Sequence, residues 1–151
     1  DNCFKKVYSF EMDKENFDRI DRSQFDDRVN FLNYGLWNER KTVSFIAQSR
    51  SSEIAEEGNA VAECISLDEI IKEGEKVTFI KMDIEGAEQN ALLGARRILK
   101  EDKPQLAICL YHSLSDLWEI PFLLHDIVPE YKFSIRHHSP TYEETVLYAT
   151  R

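Results

Sequence analysis

The sequence predicts an α/β fold built on a mixed sheet that is mostly parallel and whose last strand runs antiparallel. Apolar segments of strand length alternate along the chain with segments of helical period, as in proteins whose helices pack on a sheet. Two strand-like segments, residues 77–82 and 105–111, are apolar enough to be buried on both faces. The last two strand-like segments are joined by residues 137–144, a connection too short for a helical crossover, so this pair should be antiparallel.

The composition indicates one domain and excludes several classes of partner. The 151 residues, 42% of them hydrophobic, suffice for one core, and a net charge of −9 without a basic block argues against nucleic acid. No segment is long and apolar enough to cross a bilayer, and the N-terminus does not resemble a signal peptide, so we expect a cytoplasmic protein without a membrane partner. Cys64 and Cys109 lie in apolar strand-like segments and should be reduced core thiols.

The first half of the chain contains four strand-like segments, which we expect to be parallel because helices connect them. Asp13 is a good N-cap for the first helix, and Ser66 opens a second, shorter one. Val43 and Phe45 alternate with polar residues, which predicts a strand with one buried face. The Ser- and Glu-rich segment that follows is typical of a mobile surface loop. The predicted elements are strands at 6–10, 28–32, 41–48 and 61–65, helices at 14–25 and 67–72, and the loop at 49–58.

In the second half, the apolar period changes from strand to helix at Gly86. Apolar residues from Ala87 onward fall on one helical face, and Pro104 ends that segment. Pro121 suits the first position of a later helix. The predicted elements are strands at 77–82, 105–111, 131–136 and 145–149, helices at 87–100 and 122–128, and a turn or short helix at 115–119.

Polar side chains follow two of these strands where each strand ends. Asp83, Glu85 and Glu88 follow residues 77–82, and His112 follows the next strand. In open α/β sheets, ligands bind at the edge formed by the carboxyl ends of the parallel strands, which we call the rim. We therefore expect the functional site at the rim, near these residues.

Three segments resemble the FkbM-type S-adenosylmethionine-dependent methyltransferases. They are Val-Tyr-Ser-Phe-Glu at residues 7–11, Phe-Ile-Lys-Met-Asp-Ile-Glu-Gly-Ala-Glu at residues 79–88, and Pro-Gln-Leu-Ala-Ile at residues 104–108. Their order and spacing match along nearly the whole chain. The resemblance implies a Rossmann-like methyltransferase sheet, S-adenosylmethionine as cofactor, and methyl transfer to a hydroxyl of a sugar or small natural product. A small-molecule or glycan acceptor would then be the partner.

The sequence departs from that family at its start. Members begin their fold with a strand and a glycine-rich turn that receives the methionine part of the cofactor, and neither is present here. We therefore predict that residues 1–151 are a methyltransferase domain that lacks its first strand. The strands that end at Glu11 and Met82 should flank a gap, close on each other, or accept a strand from a second copy. An exposed apolar edge favours a homo-oligomer.

The resemblance suggests cofactor contacts at three strand ends. Glu11 stands where a carboxylate accepts hydrogen bonds from ribose hydroxyls, although a solvated acid beside a helix is the alternative. Asn33 and Tyr34 are candidates to meet the adenine, or they serve only the turn. Asp83 should lie beside the methyl-donor site, facing the positive sulfur or orienting a hydroxyl, and it is also a candidate N-cap.

The candidate catalytic residues are His112 and Asp83. An imidazole at the rim suits removal of a hydroxyl proton, whereas the alternative is a hydrogen bond to the loop at 113–116. Further residues near the rim are candidates for substrate contact or are simply solvated. They are Glu85, Arg136, His137 and His138.

Three other interpretations compete with methyl transfer that needs no metal ion. Asp83, Glu85 and His112 would suit a divalent cation if they converge, but their spacing is not diagnostic, and we assign no metal ligand. A phosphate or nicotinamide site is disfavoured because no glycine loop is present. The rival from another class is a truncated, non-catalytic module that acts as a scaffold or binds a partner.

Overall fold

The computed structural model describes residues 4–47, 52–54, 58–141 and 143–151, which contain ten strands and five α-helices. The strands are β1 (Val7–Phe10), β2 (Val29–Leu32), β3 (Gly35–Leu36), β4 (Lys41–Ala47), β5 (Ser52–Ile54), β6 (Ala60–Ile65), β7 (Phe79–Met82), β8 (Gln105–Cys109), β9 (Lys132–His137) and β10 (Thr145–Thr150). The helices are α1 (Lys14–Arg19), α2 (Leu67–Ile70), α3 (Glu88–Leu93), α4 (Arg96–Asp102) and α5 (Asp116–Ile127). The fold is therefore mixed α/β, as the alternating periods predict.

The strands divide into three sheets. The main sheet has the order β7-β8-β10-β9, a second sheet has the order β3-β6-β4-β5, and β1 pairs with β2 alone. In the main sheet β7 and β8 are parallel, while β10 is antiparallel to both of its neighbours. The antiparallel last strand is confirmed, but a single, mostly parallel sheet is not. Among the described residues β1 and β7 do not pair, so the two strands do not close directly on each other.

The second sheet corrects two expectations. β4 runs antiparallel to both β5 and β6, so the early strands are not all parallel. Part of the segment predicted as a loop, Ser52–Ile54, is instead the strand β5, while residues 49–51 and 55–57 lie outside the described part of the chain. The physical reason is the length of the connections, because antiparallel neighbours need no helical crossover.

The main core lies on the face of the main sheet that α3, α4 and α5 cover. Residues that alternate along β8 and β10 contribute one wall, and apolar residues of the helices contribute the other. The fully buried side chains of this cluster include Leu106, Ile108, Leu110 and Leu147 from the sheet segments and Leu92, Leu99, Ile120 and Leu124 from the helices. This packing fixes the strands whose carboxyl ends form the rim.

β7 is not a central strand buried on both faces. It lies at the edge of the main sheet, and its Phe79 is 44% exposed while Lys81 points to solvent. Only β8 has the double burial that both strands were expected to have. An apolar run in the sequence does not distinguish a strand with two neighbours from one whose second neighbour is absent.

The helix predicted over residues 87–100 is divided into α3 and α4 at Gly94 and Ala95. A Cβ on Gly94 would overlap the main-chain carbonyl oxygen of Trp37, so the chain passes too close for any larger residue. The Asp68 carboxylate accepts hydrogen bonds from the N–H groups of Arg97 and Ile98, at 2.7 and 3.1 Å. A side chain of α2 thus caps the new helix and stabilises the break.

Two further helix boundaries differ from expectation. α5 runs through Pro121 without ending, because Ile120, Leu124 and Ile127 keep one continuous buried face across it. The first helix is capped by Asp13 as predicted but ends at Arg19, and a separate 3₁₀ turn follows at Arg22–Gln24. Its cap is Asp21, whose side chain accepts the N–H of Ser23 and so starts a new turn.

Cys64 and Cys109 are buried free thiols, as predicted, whereas Cys3 lies outside the described residues. Within the described ranges, none of the helices has both the length and the apolar character that crossing a membrane requires.

Candidate active site

The site is positioned by the parallel pair β7 and β8. Met82 lies opposite Ile108 in this pair, so the residues that follow both strands emerge at the same rim. After β7 the chain turns sharply through Glu85 and Gly86, whose φ angles of 54° and 89° lie in the left-handed region. Glycine reaches that region without strain, which explains Gly86 at this point. The turn leads Asp83, Glu85 and Glu88 toward His112.

Asp83 bridges the two strands. Its Oδ1 accepts a 2.7 Å hydrogen bond from the Tyr111 hydroxyl, and its Oδ2 lies 3.2 Å from Lys81 Nζ. Partial burial is the largest influence on the pKa of Asp83 and raises it, but Tyr111 and Lys81 together lower it below the ordinary value. Asp83 is therefore ionised at neutral pH. It is not an N-cap, because α3 begins at Glu88 and is preceded by Ala87.

His112 lies among three carboxylates. Its Nδ1 is 3.0 Å from Glu88 Oε1, and its Nε2 is 3.4 Å from Glu85 Oε2 and 3.5 Å from Asp83 Oδ1. The imidazole is 8% exposed and the Glu88 side chain 1%. Within the described part of the chain, neither ring nitrogen has a partner aligned well enough for a hydrogen bond. The contacts between His112 and the three carboxylates are thus short, but they do not have the alignment of hydrogen bonds.

The carboxylates determine the charge of His112. Burial is the largest single influence and lowers the pKa of the imidazole, yet Glu88, Glu85 and Asp83 together raise it above the ordinary value. The ring therefore keeps its added proton up to a higher pH than an ordinary imidazole does. The loop after His112 is closed by another residue, since Asp116 Oδ2 accepts the N–H of Ser113 at 3.1 Å.

A second group of predicted residues lies at the carboxyl ends of β1 and β2. Asn33 donates its amide N–H groups to the main-chain carbonyls of Glu11 and Met12, at 2.8 and 3.2 Å. Glu11 is half-buried, which raises its pKa, and its Oε1 accepts the N–H of Asp13. The ring of Tyr34 has the Arg40 guanidinium 5.7 Å from its centroid. Glu11 and Asn33 are thus adjacent, and part of each side chain supports the local turn.

The remaining candidates lie on the far edge of the main sheet. Arg136 and His137 belong to the end of β9, which β10 separates from β8. His137 Nδ1 lies 2.9 Å from the Thr145 hydroxyl, and His138 Nε2 lies 3.0 Å from the Tyr148 hydroxyl. All three candidates are exposed and have contacts different from those of Asp83 and His112. The structure therefore does not bring them into the cluster around His112.

Two members of the cluster were not predicted to act there. Glu88 was grouped with Asp83 and Glu85 but given no role, and Tyr111 was treated only as part of a strand. The strand register could have predicted the position of Tyr111. Alternate residues 107, 109 and 111 lie on the same face of the sheet as Lys81 and Asp83. In the described ranges, no group of three or more His, Cys, Asp or Glu side chains is arranged to hold a metal ion.

The sequence and the fold of this chain are similar to those of known methyltransferases. The profile of the methyltransferase FkbM domain matches residues 2–135. The crystal structure of a methyltransferase FkbM from Methylobacillus flagellatus KT is similar, with 32% sequence identity and a TM-score of 0.77. The match covers 97% of this chain but only 37% of that protein. Curated proteins give no match. Because the domain profile covers most of its length, the chain belongs to the FkbM methyltransferase family.

Proposed function

We propose that the protein transfers a methyl group from S-adenosylmethionine to a hydroxyl oxygen of a sugar or small natural product, as a cytoplasmic enzyme. The observation that carries this proposal is the convergence of Asp83, Glu85 and His112 at the carboxyl ends of β7 and β8 in a member of the FkbM family. The chain spans about a third of the related crystal structure, so the proposal concerns the whole protein to which this domain belongs.

The chemistry of the residues at the end of β1 and β2 suits the nucleoside part of the cofactor. We assign the ribose hydroxyls to Glu11, whose carboxylate is held in place by the N–H of Asp13. Since the amide nitrogen of Asn33 is occupied by main-chain carbonyls, only its oxygen remains to accept from an adenine amino group. Tyr34 would supply an aromatic surface for the base.

Asp83 suits the reacting end of the cofactor. S-adenosylmethionine, when bound, supplies a methyl group on a positively charged sulfur. Asp83 stays ionised at neutral pH, so it favours a positive charge at the rim. Tyr111 and Lys81 hold its carboxylate in one orientation.

We assign the acceptor hydroxyl to the Nε2 side of His112, beside Asp83 and Glu85. Three acceptor atoms converge there when the imidazole is neutral at Nε2, namely this nitrogen, Asp83 Oδ1 and Glu85 Oε2. A hydroxyl group is a donor and therefore suits a position beside these acceptors. With the cofactor bound, His112 would take the hydroxyl proton at Nε2 while the oxygen bonds to the methyl carbon, the methyl–sulfur bond breaks and S-adenosylhomocysteine leaves, and Glu85 would help to orient the hydroxyl.

Residues at the end of β9 are proposed for the more distant part of the acceptor. β9 runs in the same direction as β8, because both are antiparallel to β10, so its carboxyl end reaches the same rim. Arg136, His137 and His138 are exposed there and offer hydrogen-bond donors to a glycan or similar molecule.

Calorimetric titration with S-adenosylhomocysteine, the product form of the cofactor, tests the proposal. We expect binding to this chain or to a version extended upstream, and weaker binding by roughly 10- to 100-fold in Glu11→Ala, the loss of a charged hydrogen bond. Glu15→Ala is the control, because Glu15 is an exposed acid on α1. No binding by either version would overturn the enzyme proposal and favour the non-catalytic module.

A further inference from the structure

Glu88 is the most deeply buried ionisable side chain in the site, with 1% exposure. An acid in the first turn of a helix is commonly explained by the helix dipole, but the dipole acts equally well on an exposed side chain. Burial of a carboxylate costs several kcal/mol unless partners compensate for the lost water. The contacts of Glu88 must therefore explain its position.

The two oxygens of Glu88 have different surroundings. Oε1 accepts a 2.9 Å hydrogen bond from the N–H of Ile84, which ties α3 to the turn that follows β7. The same atom lies 3.0 Å from His112 Nδ1, the shortest of the three carboxylate contacts to this ring. Oε2 has no hydrogen-bond partner in the described part of the chain. Glu88 thus links the turn that carries Asp83 and Glu85 to the imidazole that faces them.

We infer that Glu88 is a positioning residue whose carboxylate holds the Nδ1 side of His112 and so directs Nε2 toward Asp83, Glu85 and the acceptor hydroxyl. The part of this inference that concerns the acceptor hydroxyl rests on the proposed function. The part that concerns the contact between Glu88 and His112 does not. Glu88 is closer to the ring than Glu85 or Asp83 and less screened by water. Its electrostatic influence on the ring is accordingly the strongest.

The position of the proton follows from this arrangement. When His112 is neutral, the carboxylate at 3.0 Å favours a proton on Nδ1 and leaves the lone pair on Nε2. A base needs that lone pair in order to take a proton from a hydroxyl. When Nε2 has taken the proton, Glu88 stabilises the resulting imidazolium.

Other charged groups also face the His112 ring, and they influence its protonation together with Glu88. Asp83 and Glu85 approach it from the turn after β7, and Asp116 interacts with it from α5. The Tyr111 ring lies 4.3 Å from the imidazole between centroids. Only Glu88 contacts the Nδ1 side within the described residues.

The test is an NMR titration of the ¹⁵N-labelled chain, with the His112 signals identified by their loss in His112→Asn. In the unaltered chain above the pKa of His112, we expect the proton on Nδ1. In Glu88→Gln, which keeps the shape and removes the charge, we expect the pKa of His112 to shift downward. The control Glu101→Gln makes the same charge change on α4 at a side chain that is 61% exposed, and it should leave the titration unchanged.

Each outcome decides the matter. A neutral ring protonated on Nε2 in the unaltered chain would overturn the inference, even if Glu88→Gln does not fold. An unchanged His112 titration in folded Glu88→Gln would reduce Glu88 to a structural contact with Ile84. Neither measurement involves methyl transfer or cofactor, so failure of the proposed function would be seen separately, in the calorimetric titration.

Discussion

His112 is the side chain whose charge depends most on its neighbours. Three carboxylates surround an imidazole that is almost fully buried, and they outweigh the burial that would otherwise keep it neutral. The imidazolium is therefore favoured in the folded protein at a pH where it is not favoured in the unfolded chain. Such a group links folding stability to pH.

The pH dependence of this contribution has a definite sign. The pKa of His112 is raised above its ordinary value of 6.5, so its stabilising effect is complete below that value and is lost as the pH rises through the folded-state pKa. We expect His112→Asn to cost more free energy of unfolding at pH 5.5 than at pH 9, values that bracket about 6.5. Urea unfolding at both pH values measures the difference.

The control is His125→Asn, because His125 is exposed on α5 and is not among the residues around His112. Its cost should be small, as for most exposed substitutions. A His112→Asn cost that is equal at both pH values, or larger at the higher one, would show that the carboxylates do not hold the imidazolium.

At the scale of single residues, the sequence predicts which side chains reach the rim but not how deeply each is buried. Asp83 and His112 follow apolar strands, and strand ends in parallel sheets meet at one edge, so their proximity was predictable. The burial of Glu88 was not, because an acid in a first helical turn has the same sequence pattern whether it is exposed or buried. Only the packing of α3 against β8 distinguishes the two cases.

At the scale of elements, the break between α3 and α4 shows a local pattern overruled by tertiary structure. The apolar period continues through Gly94, and a single glycine inside such a period does not establish that the helix ends there. The break is imposed from outside, by the carbonyl of Trp37 and by the Asp68 carboxylate that caps α4. Both groups lie far from Gly94 in sequence, so propensity and periodicity do not contain this information.

Gly94→Ala tests this account. The methyl group would overlap the Trp37 carbonyl oxygen, and a main-chain group does not move aside without displacing the segment after β3. We expect a loss of about 2–3 kcal/mol in the free energy of unfolding, as for other overpacked sites. Denaturant unfolding followed by circular dichroism measures it.

Gly74→Ala is the matched comparison. Gly74 has a φ of 85° and open space around its Cα, so only the strain of a left-handed alanine applies. Its cost should be about 1 kcal/mol. If Gly94→Ala were as mild as Gly74→Ala, close passage of Trp37 would not be what ends α3.

At the scale of the whole molecule, the three sheets follow from strand pairing that the sequence only partly specifies. The antiparallel pair β9 and β10 was predictable from one short connection. The second sheet was not, because β5 comes from a polar segment without the alternation of a half-buried strand. Among the described residues no strand pairs with the second edge of β7, and this too leaves no trace in an apolar run, which explains why β7 was expected to be buried on both faces.

The free edge of β7 leads to a prediction about assembly. A strand edge offers unpaired N–H and C=O groups, and Phe79 adds an apolar side chain that is 44% exposed. We therefore expect this chain to associate as its concentration rises, through the edges of β7 and β1. Sedimentation velocity over a range of concentrations should show this association, and Phe79→Lys should weaken it because like charges meet at the edge.

The comparison variant for assembly is Phe122→Lys. Phe122 is more exposed than Phe79, at 67%, and gains the same charge, but it lies on α5 and not on a strand edge. If edge pairing drives association, Phe122→Lys should associate like the unaltered chain. Equal weakening by both variants would indicate general hydrophobic contact, and a monomer at every concentration would show that the β7 edge is protected by its own Lys81 and by the twist of the sheet.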